Sequence, residues 1–488
     1  MTARALRRPA AELVALASVL LLAVLLALRG VGSGLTYDEG TYLLSVLNLQ
    51  GGQALGTDVF APQPPLFYEL VRLSSWVFGP EVEEVRRGIV VAFLAGVLGA
   101  YLLVRALVGP WAGVAAAALV VVAPPIPLDA TRVHADLPAV ALMLLALGLA
   151  AEPRGGRRAQ LALGFAAGAV LAIAVGVKLT ALIGVVPLAL LLFSRPAARP
   201  ARSAATAAGA AVVTVTVLVV YRDALGPLWS SLVGYRRAAR ETPNLVGGRE
   251  ILEIVLDLHA AFTVAFLLGV ILAAVRLLRE RTARAATAVV PALLLAVLGA
   301  LALATYRPLH LNHLVLASAV LGVLAATLIG WGAAGLSARG QAVVAGLVCL
   351  LVLGSFSQGW RRAGTELMPP DASVIALADR LGRVAPSGSL VVSDNPGVAY
   401  LARRRTPGGL VDTARLRFAT GSLTDADVLE TVDRTCVVAI VAARTFLLRP
   451  GLLAGFEERF GRRERVGEGF VLSERRRPCP PGADTTSP

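Results

Sequence analysis

Two adjacent acids, Asp38 and Glu39, follow the first long apolar run and belong to the segment Leu35 to Tyr68. Acids at the end of a membrane helix are costly to bury, so they face water, a cavity or a partner. In such a place a carboxylate can take a proton from an acceptor hydroxyl or hold a metal ion. The two acids can also form the first turn of a short helix, where negative charge favours the helix dipole. Both interpretations are kept.

Other charged side chains lie where later apolar runs begin or end. Asp136 opens a helical run, either as a capping acid or as a second acid of a polar site, with Arg132 and His134 close in sequence. Lys178, the only lysine, lies between two short apolar runs. A lysine there either extends to lipid headgroups or binds an anionic ligand such as a lipid phosphate.

The segment RPLHLNHL places Arg307, His310 and His313 at the start of another apolar run. The two histidines are three residues apart, so a helix would bring them to one face. They could ligate a metal together with an acid, or they could be satisfied by backbone and headgroups. No metal is assigned, and a divalent cation is left open.

The elements that position these residues are apolar helices. The chain of 488 residues is 56% hydrophobic and 16% charged, which is more apolar than a soluble domain. Runs of about 20 apolar residues have the length of a membrane-crossing helix. We predict about eleven such spans, near 10–29, 88–108, 110–125, 136–151, 161–176, 180–194, 204–221, 258–278, 286–305, 312–334 and 340–358. The first run is long for a cleaved signal peptide, and we interpret it as a retained helix.

The distribution of charge predicts an orientation. The net charge is +14, and the arginines lie mostly in short loops between apolar runs, so a membrane accounts for them better than a nucleic acid does. Arginine-rich loops alternate with loops that carry the acids. This predicts a multi-pass plasma membrane protein with a cytoplasmic N-terminus. The segment that contains Asp38 and the C-terminal region would then be extracytoplasmic.

The composition changes near Trp360. We predict a transmembrane domain over 1–360 with an outer loop at 31–87, an extracytoplasmic α/β domain over 361–476 and a disordered tail over 477–488. In the α/β domain, DASVIALADRLGRV and TDADVLETVDR have the period of helices, whereas SLVVSD and TCVVAIVA are typical of short buried strands. Cys436 and Cys479 lie in this polar region and could pair.

In their order along the chain, these motifs resemble the protein O-mannosyltransferase-like membrane glycosyltransferases (glycosyltransferase family 39) of the GT-C class. The motifs that carry the resemblance are Tyr37-Asp38-Glu39, Gly51-Gly52, Gln63-Pro64-Pro65-Leu66, RVHADLPAVALMLLALGLA, GFAAGAVLAIAVGVKLTAL and RPLHLNHLVLASAV. The resemblance covers most of the chain. It implies a GT-C-like fold, a sugar donor carried on a polyprenyl phosphate, and an acceptor protein, glycan or lipid on the outer side.

The resemblance also implies an inverting transfer in which Asp38 deprotonates the acceptor. The residues assigned to catalysis are the acids Asp38, Glu39 and Asp136. The residues assigned to the donor phosphate are Lys178, Arg132, Arg307 and His313. The residues assigned to a donor-side wall are Gln63, Pro64, Pro65 and Tyr68.

Two positions depart from the family pattern. Gln63 stands where some relatives have lysine, so this loop brings no positive charge to a phosphate there. Leu314 follows His313, where the pattern has a tyrosine.

Two alternatives to a glycosyltransferase remain. A transporter or flippase for a lipid-linked sugar would place charged residues inside its spans around inverted repeats. A non-enzymatic envelope-assembly protein would use its outer α/β domain to bind a partner, and its loop acids would tolerate alanine.

Overall fold

The computed structural model describes residues 3–152, 156–193, 199–241, 260–280, 288–306, 309–366 and 369–479. The chain forms two compact units. The helical unit comprises Met1–Val31, Arg86–Val219 and Asn244–Leu367. The α/β unit comprises Gly32–Val85, Val220–Pro243 and Met368–Pro488, so it combines the predicted outer loop and C-terminal domain with a third, short segment.

Within the described residues, ten α-helices precede residue 221. They are α1 Ala3–Gly30, α2 Tyr37–Gln50, α3 Pro65–Phe78, α4 Val82–Leu107, α5 Pro110–Val122, α6 Ile126–Asp129, α7 Asp136–Ala151, α8 Arg157–Val177, α9 Val185–Phe193 and α10 Arg199–Val220. A 3-10 helix, Leu179–Gly184, joins α8 to α9.

The described residues after position 221 form further α-helices and the four β-strands. In order, the elements are α11 Leu225–Trp229, α12 Tyr235–Ala239, α13 Ala260–Glu280, α14 Val290–Ala304, α15 Leu314–Ala333, α16 Ala338–Glu366, α17 Ala372–Val384, β1 Val391–Ser393, α18 Pro396–Leu401, α19 Arg415–Ala419, α20 Asp425–Arg434, β2 Ala439–Ala442, α21 Pro450–Arg459, β3 Phe460–Val466 and β4 Gly469–Arg475.

The helical unit is built from the predicted apolar runs. Within the described residues, 7 helices are long and apolar enough to cross a membrane, and four shorter apolar helices accompany them: Pro110–Val122, Asp136–Ala151, Leu179–Phe193 and Val290–Ala304. Each run predicted from the sequence coincides with one of these helices. How many of the shorter ones cross the membrane stays a prediction.

Small residues allow helices α8 and α10 to pack closely. A Cβ atom added at Gly168 would collide with the backbone oxygen of Thr206, and one added at Gly209 would collide with that of Phe165. Lipid provides no hydrophobic force between helices, so close backbone approach through small residues is a main source of their attraction. The glycine-rich run before Lys178 therefore holds α8 in place.

The α/β unit contains a four-stranded sheet of order β1-β2-β4-β3. β1 and β2 are parallel, with Val392 opposite Ile440, whereas β4 is antiparallel to both of its neighbours. The core includes Val392, Ile440 and Leu472 from the sheet and Phe446 and Phe456 from the elements that cover it. The predicted helices and the two predicted strands of this domain are confirmed.

The β3–β4 hairpin and one disulfide complete the α/β unit. β3 exposes most of its polar side chains, and its turn has Gly467 at a φ of 57°. Cys436 and Cys479 form a disulfide with a Cα–Cα distance of 5.2 Å, which decides the pairing that the sequence left open. The predicted disordered tail falls largely outside the described residues, which end at 479.

Candidate active site

Lys178 lies at a break between helices in the helical unit. It is the C-cap of α8 and has an extended backbone, with φ −156° and ψ 131°. Its N–H still donates to the carbonyl of Ala174, at 2.9 Å, and its own carbonyl accepts from the N–H of Ala181, at 3.1 Å. The break therefore leaves this peptide's hydrogen bonds satisfied and presents a long cationic side chain at the end of an apolar helix.

The Lys178 ammonium pairs with Asp136 at the start of α7. Nζ donates to Oδ1 of Asp136 at 2.7 Å, and the amide of Asn312 donates to Oδ2 at 3.0 Å. Both charged side chains are buried, with 5% exposure for Lys178 and 8% for Asp136. Asp136 does not cap its helix, because the N-cap is Ala135 and no side chain caps it. Of the two sequence interpretations, the polar-site one fits these contacts.

This ion pair is costly in an apolar surrounding. Removing two charges from water costs several kcal/mol per ion, on the order of the attraction regained, and only good geometry with further hydrogen bonds offsets it. Here the carboxylate has a separate donor for each oxygen. Ionisable residues between membrane helices are rare and usually mark a substrate or ion site.

The ring of Tyr306 lies near both the ammonium and the adjacent histidine. The Lys178 ammonium lies 5.6 Å from the ring centroid of Tyr306. The Tyr306 ring is 4.0 Å from that of His313, and Nδ1 of His313 accepts the backbone N–H of His310 at 3.0 Å. A tyrosine thus lies against His313 even though Leu314 follows it in sequence. His313 is also close enough to Asp136 to interact with it electrostatically.

The other basic candidates differ in how well they are placed. Arg132 is half-buried and follows the short helix α6, and His134 pairs with Asp129 at 2.8 Å. Arg307 lies outside the described residues. Over the ranges that the structure describes, no three His, Cys, Asp or Glu side chains are grouped as metal ligands.

Asp38 and Glu39 lie in the first turn of α2, in the α/β unit. The Thr36 hydroxyl accepts the Glu39 N–H at 3.3 Å, and the Glu39 carboxylate accepts the Thr36 N–H at 3.1 Å. This capping box satisfies two backbone donors at the helix start. Glu39 is fully buried and serves as a cap, whereas Asp38 is exposed. The helical interpretation of this segment is therefore confirmed. The catalytic role of either acid stays a prediction.

Tyr37, the residue before Asp38, binds a buried acid of the C-terminal region. Its hydroxyl donates to Oδ1 of Asp412 at 3.1 Å and accepts the N–H of Thr413 at 3.0 Å. Burial raises the pKa of Asp412, and the nearby Asp38 carboxylate raises it further, against the lowering effect of Arg417. Burial, with the neighbouring Asp412, also raises the pKa of the Tyr37 hydroxyl well above its ordinary value. Tyr37 is therefore a neutral hydrogen-bond donor.

The residues assigned to a loop wall form the packing between α2 and α3. Pro64 is the N-cap of α3 and Pro65 its first residue, a favourable place for proline. The Gln63 amide donates to the Tyr42 hydroxyl at 2.9 Å. The rings of Tyr42 and Tyr68 are 6.2 Å apart, and Tyr68 is fully buried. Their contact with a donor stays a prediction.

Sequence reasoning did not assign four residues of these two clusters. They are Asn312, Tyr306, Asp412 and Tyr37, the hydrogen-bond partner of Asp412. Asn312 lies between the two predicted histidines, so an amide between them was the available signal. Tyr37 and Asp412 are 375 residues apart, and no local pattern indicates such a pair.

Comparison with known proteins shows which proteins the chain resembles. Residues 62–221 match the family model described as dolichyl-phosphate-mannose-protein mannosyltransferase. A search of curated protein sequences finds no match to the chain. The predicted resemblance to the GT-C membrane glycosyltransferases is confirmed, and the chain has the fold of that class.

Three solved structures show how far the fold is shared. ArnT from Cupriavidus metallidurans, bound to undecaprenyl phosphate, is 15% identical, with a TM-score of 0.66 over 94% of this chain and 97% of that one. The Archaeoglobus fulgidus oligosaccharyltransferase in its apo form is 13% identical, with a TM-score of 0.57 over 92% and 70%. The arabinofuranosyltransferase AftD from Mycobacteria is 14% identical, with a TM-score of 0.55 over 95% of this chain but 39% of that one.

Proposed function

We propose that this protein is a membrane glycosyltransferase. It transfers a sugar from a polyprenyl-phosphate donor to an acceptor hydroxyl on the extracytoplasmic face, with inversion at the anomeric carbon. The observation that carries the proposal is the buried Lys178–Asp136–Asn312 group among apolar helices.

A lysine held in this way suits the phosphate of a lipid donor. An ammonium has three hydrogen-bond donors and behaves as a compact point charge. Asp136 accepts one of these donors and fixes the position of Nζ. When the sugar leaves its carrier, the phosphate oxygen gains negative charge, and a preorganised cation stabilises that charge more strongly than water does. Asp136 is therefore a positioning residue, and Lys178 binds the phosphate.

Asp38 is the base of the proposed reaction. It is an exposed carboxylate, whereas the carboxylates of Glu39 and Asp136 are engaged by a cap and by an ion pair. Asp38 takes the proton of the acceptor hydroxyl while the oxygen of that hydroxyl bonds to the anomeric carbon of the donor sugar. The bond from that carbon to the phosphate oxygen breaks, and polyprenyl phosphate leaves with the electron pair.

The comparisons support this donor class. The ArnT structure holds undecaprenyl phosphate, and the family model that matches residues 62–221 is named for a dolichyl-phosphate-mannose donor. Undecaprenyl phosphate is a carrier of the polyprenyl-phosphate type, and dolichyl-phosphate-mannose is a sugar donor of the same type.

The test measures release of polyprenyl phosphate from radiolabelled polyprenyl-phosphate sugars by the full chain in lipid nanodiscs, with an envelope fraction as acceptor. Asp38→Asn keeps the size of the side chain but removes the base. We expect transfer to fall by about 10²-fold or more, in the range that general bases contribute. The control is Asp223→Asn, since Asp223 is an exposed acid of the same unit, with 89% exposure of its side chain.

Full activity of a folded Asp38→Asn protein would contradict the assignment of the base. In sealed proteoliposomes, movement of the intact donor across the bilayer without release of polyprenyl phosphate would instead identify a transporter.

A further inference from the structure

We propose that the C-terminal region of the α/β unit positions the catalytic base through Tyr37 and Asp412. The inference rests on the proposed function, because it assigns to Asp38 the role of base. Tyr37 and Asp412 are positioning residues: they act on Asp38 by fixing the first turn of α2, and they do not take part in the proton transfer.

Two hydrogen bonds join Tyr37 to residues 412 and 413, and a third, within residues 412–414, holds the Asp412 carboxylate. The Tyr37 hydroxyl donates to Asp412 at 3.1 Å and accepts the Thr413 N–H at 3.0 Å. The same Oδ1 of Asp412 accepts the N–H of Ala414 at 2.9 Å. The tyrosine hydroxyl is thereby fixed in direction, with one donor and one acceptor bond.

A second contact fixes the ring of Tyr37. The Arg444 guanidinium lies 4.8 Å from the ring centroid, within the range of a cation–π interaction. The loop that carries Arg444 is held by Asp394, at the end of β1. The Asp394 carboxylate accepts the backbone N–H groups of Ala443 at 2.7 Å, Arg444 at 2.8 Å and Phe446 at 2.7 Å. The buried Asp394 at the end of β1 therefore fixes the loop whose Arg444 contacts the ring of Tyr37.

Contacts along the rest of α2 keep the helix from sliding or turning. The Asn48 amide donates to the carbonyl of Thr406 at 2.7 Å and accepts its N–H at 3.3 Å. Arg405 donates to the carbonyl of Gly51 at 2.9 Å. The backbones of α2 and α18 also touch, since a Cβ at Gly40 would lie 2.5 Å from the nitrogen of Gly397.

These contacts matter because Asp38 adjoins Tyr37 in the same helical turn. A displacement of about 1 Å at a reacting group can lower a rate by about 10²-fold. The capping box of this turn is formed by Thr36 and Glu39 and does not include Asp38. The position of the base therefore depends on residues that lie more than 350 positions away.

The experiment compares four single variants and the double variant Tyr37→Phe with Asp412→Ala, each made in the full chain in nanodiscs. Tyr37→Phe removes the hydroxyl, and Asp412→Ala removes its acceptor. Asp412→Asn keeps an oxygen that can accept from Tyr37 and Ala414. The matched control is Tyr221→Phe, which breaks another bond from a tyrosine hydroxyl to a carboxylate in the same unit, that of Tyr221 to Glu69 at 2.7 Å.

Two readouts are used. With donor and acceptor varied, Tyr37→Phe and Asp412→Ala should each lower kcat by about tenfold or more with KM within about twofold, while the double variant is no slower than the worse single one. Asp412→Asn and Tyr221→Phe should keep the wild-type kcat. Independently of activity, amide hydrogen exchange over residues 37–41 should accelerate in Tyr37→Phe and Asp412→Ala only.

Unchanged exchange over residues 37–41 in Tyr37→Phe and Asp412→Ala would overturn the inference, whether or not the protein is a transferase. The inference would also fail if the wild type is active, Asp38→Asn is inactive, and Tyr37→Phe matches Tyr221→Phe in kcat. Failure of the proposed function would instead appear as a wild-type protein that releases no polyprenyl phosphate, while exchange over residues 37–41 still accelerates in Tyr37→Phe and Asp412→Ala.

Discussion

Removing the charge of Lys178 should destabilise the helical unit more than removing both charges of its ion pair. In Lys178→Met, the Asp136 carboxylate stays buried, and the amide of Asn312 remains as its hydrogen-bond donor. Breaking one side of a buried ion pair costs about 3–5 kcal/mol. At about 1.4 kcal/mol for each factor of ten, the unfolding equilibrium constant should rise by about 10²- to 10³·⁵-fold.

The double variant Asp136→Asn with Lys178→Met tests the origin of this cost. It leaves no buried charge at the pair, and replacement of a whole buried pair is often neutral or stabilising. We therefore expect the double variant to unfold at a higher temperature than Lys178→Met alone. It should remain inactive, because the phosphate ligand of the proposed reaction is missing.

The assay is thermal unfolding of purified protein in one detergent, with Arg222→Met as the control. Arg222 and Asp223 form an exposed pair, with 74% and 89% of their side chains accessible, so its loss should change stability by less than about 1 kcal/mol. The reasoning is refuted if Lys178→Met is as stable as Arg222→Met, or if the losses of the two single variants simply add in the double one.

Two further predictions concern the α/β unit. Because burial raises the pKa of Asp412, the native state keeps this proton to a higher pH than the unfolded chain does. The protonated Asp412 side chain contributes fully to stability below its unfolded-state pKa of about 3.9, and this contribution is lost as pH rises through the raised pKa of the native state. Asp412→Asn should therefore flatten this part of the pH profile of stability, measured by denaturant unfolding. Gly40→Ala should destabilise the protein by about 1–3 kcal/mol, because the added methyl group overpacks against the backbone of Gly397, and its unfolding temperature should fall. Gly382→Ala is the control, since Gly382 has open space around it and its unfolding temperature should not fall. Equal unfolding temperatures for the two variants would contradict the close contact.

The helices could be predicted well because a membrane leaves few alternatives. A run of about 20 apolar residues in lipid must satisfy its backbone internally, so sequence alone locates the helix. The same holds for the start of α2, where Thr36 and Glu39 are spaced as a capping box. The β3–β4 hairpin was missed because β3 is a largely exposed strand, and its three arginines and one glutamate hide the period of two.

The site could be predicted only in part, because charge at a helix end is visible in a sequence but its partner is not. Asp136 and Lys178 were both expected near a polar site, and they do meet, 42 residues apart. Whether an acid is a base, a cap or half of an ion pair depends on which donors reach it. The donors that reach Glu39 and Asp136 distinguish these two acids from Asp38, and finding those donors requires coordinates.

The bond between Cys436 and Cys479 links the location of the C-terminal region to redox chemistry. Thiols are kept reduced in the cytosol, and disulfides persist in oxidising compartments. The segment after β4 therefore stays attached at Cys436 only in a compartment where an oxidant has acted on the two thiols. The distribution of arginines among the loops and the presence of the disulfide are independent arguments, and both favour an extracytoplasmic α/β unit. Maturation of this unit would then need a thiol-oxidising system in the envelope as well as an insertion machinery.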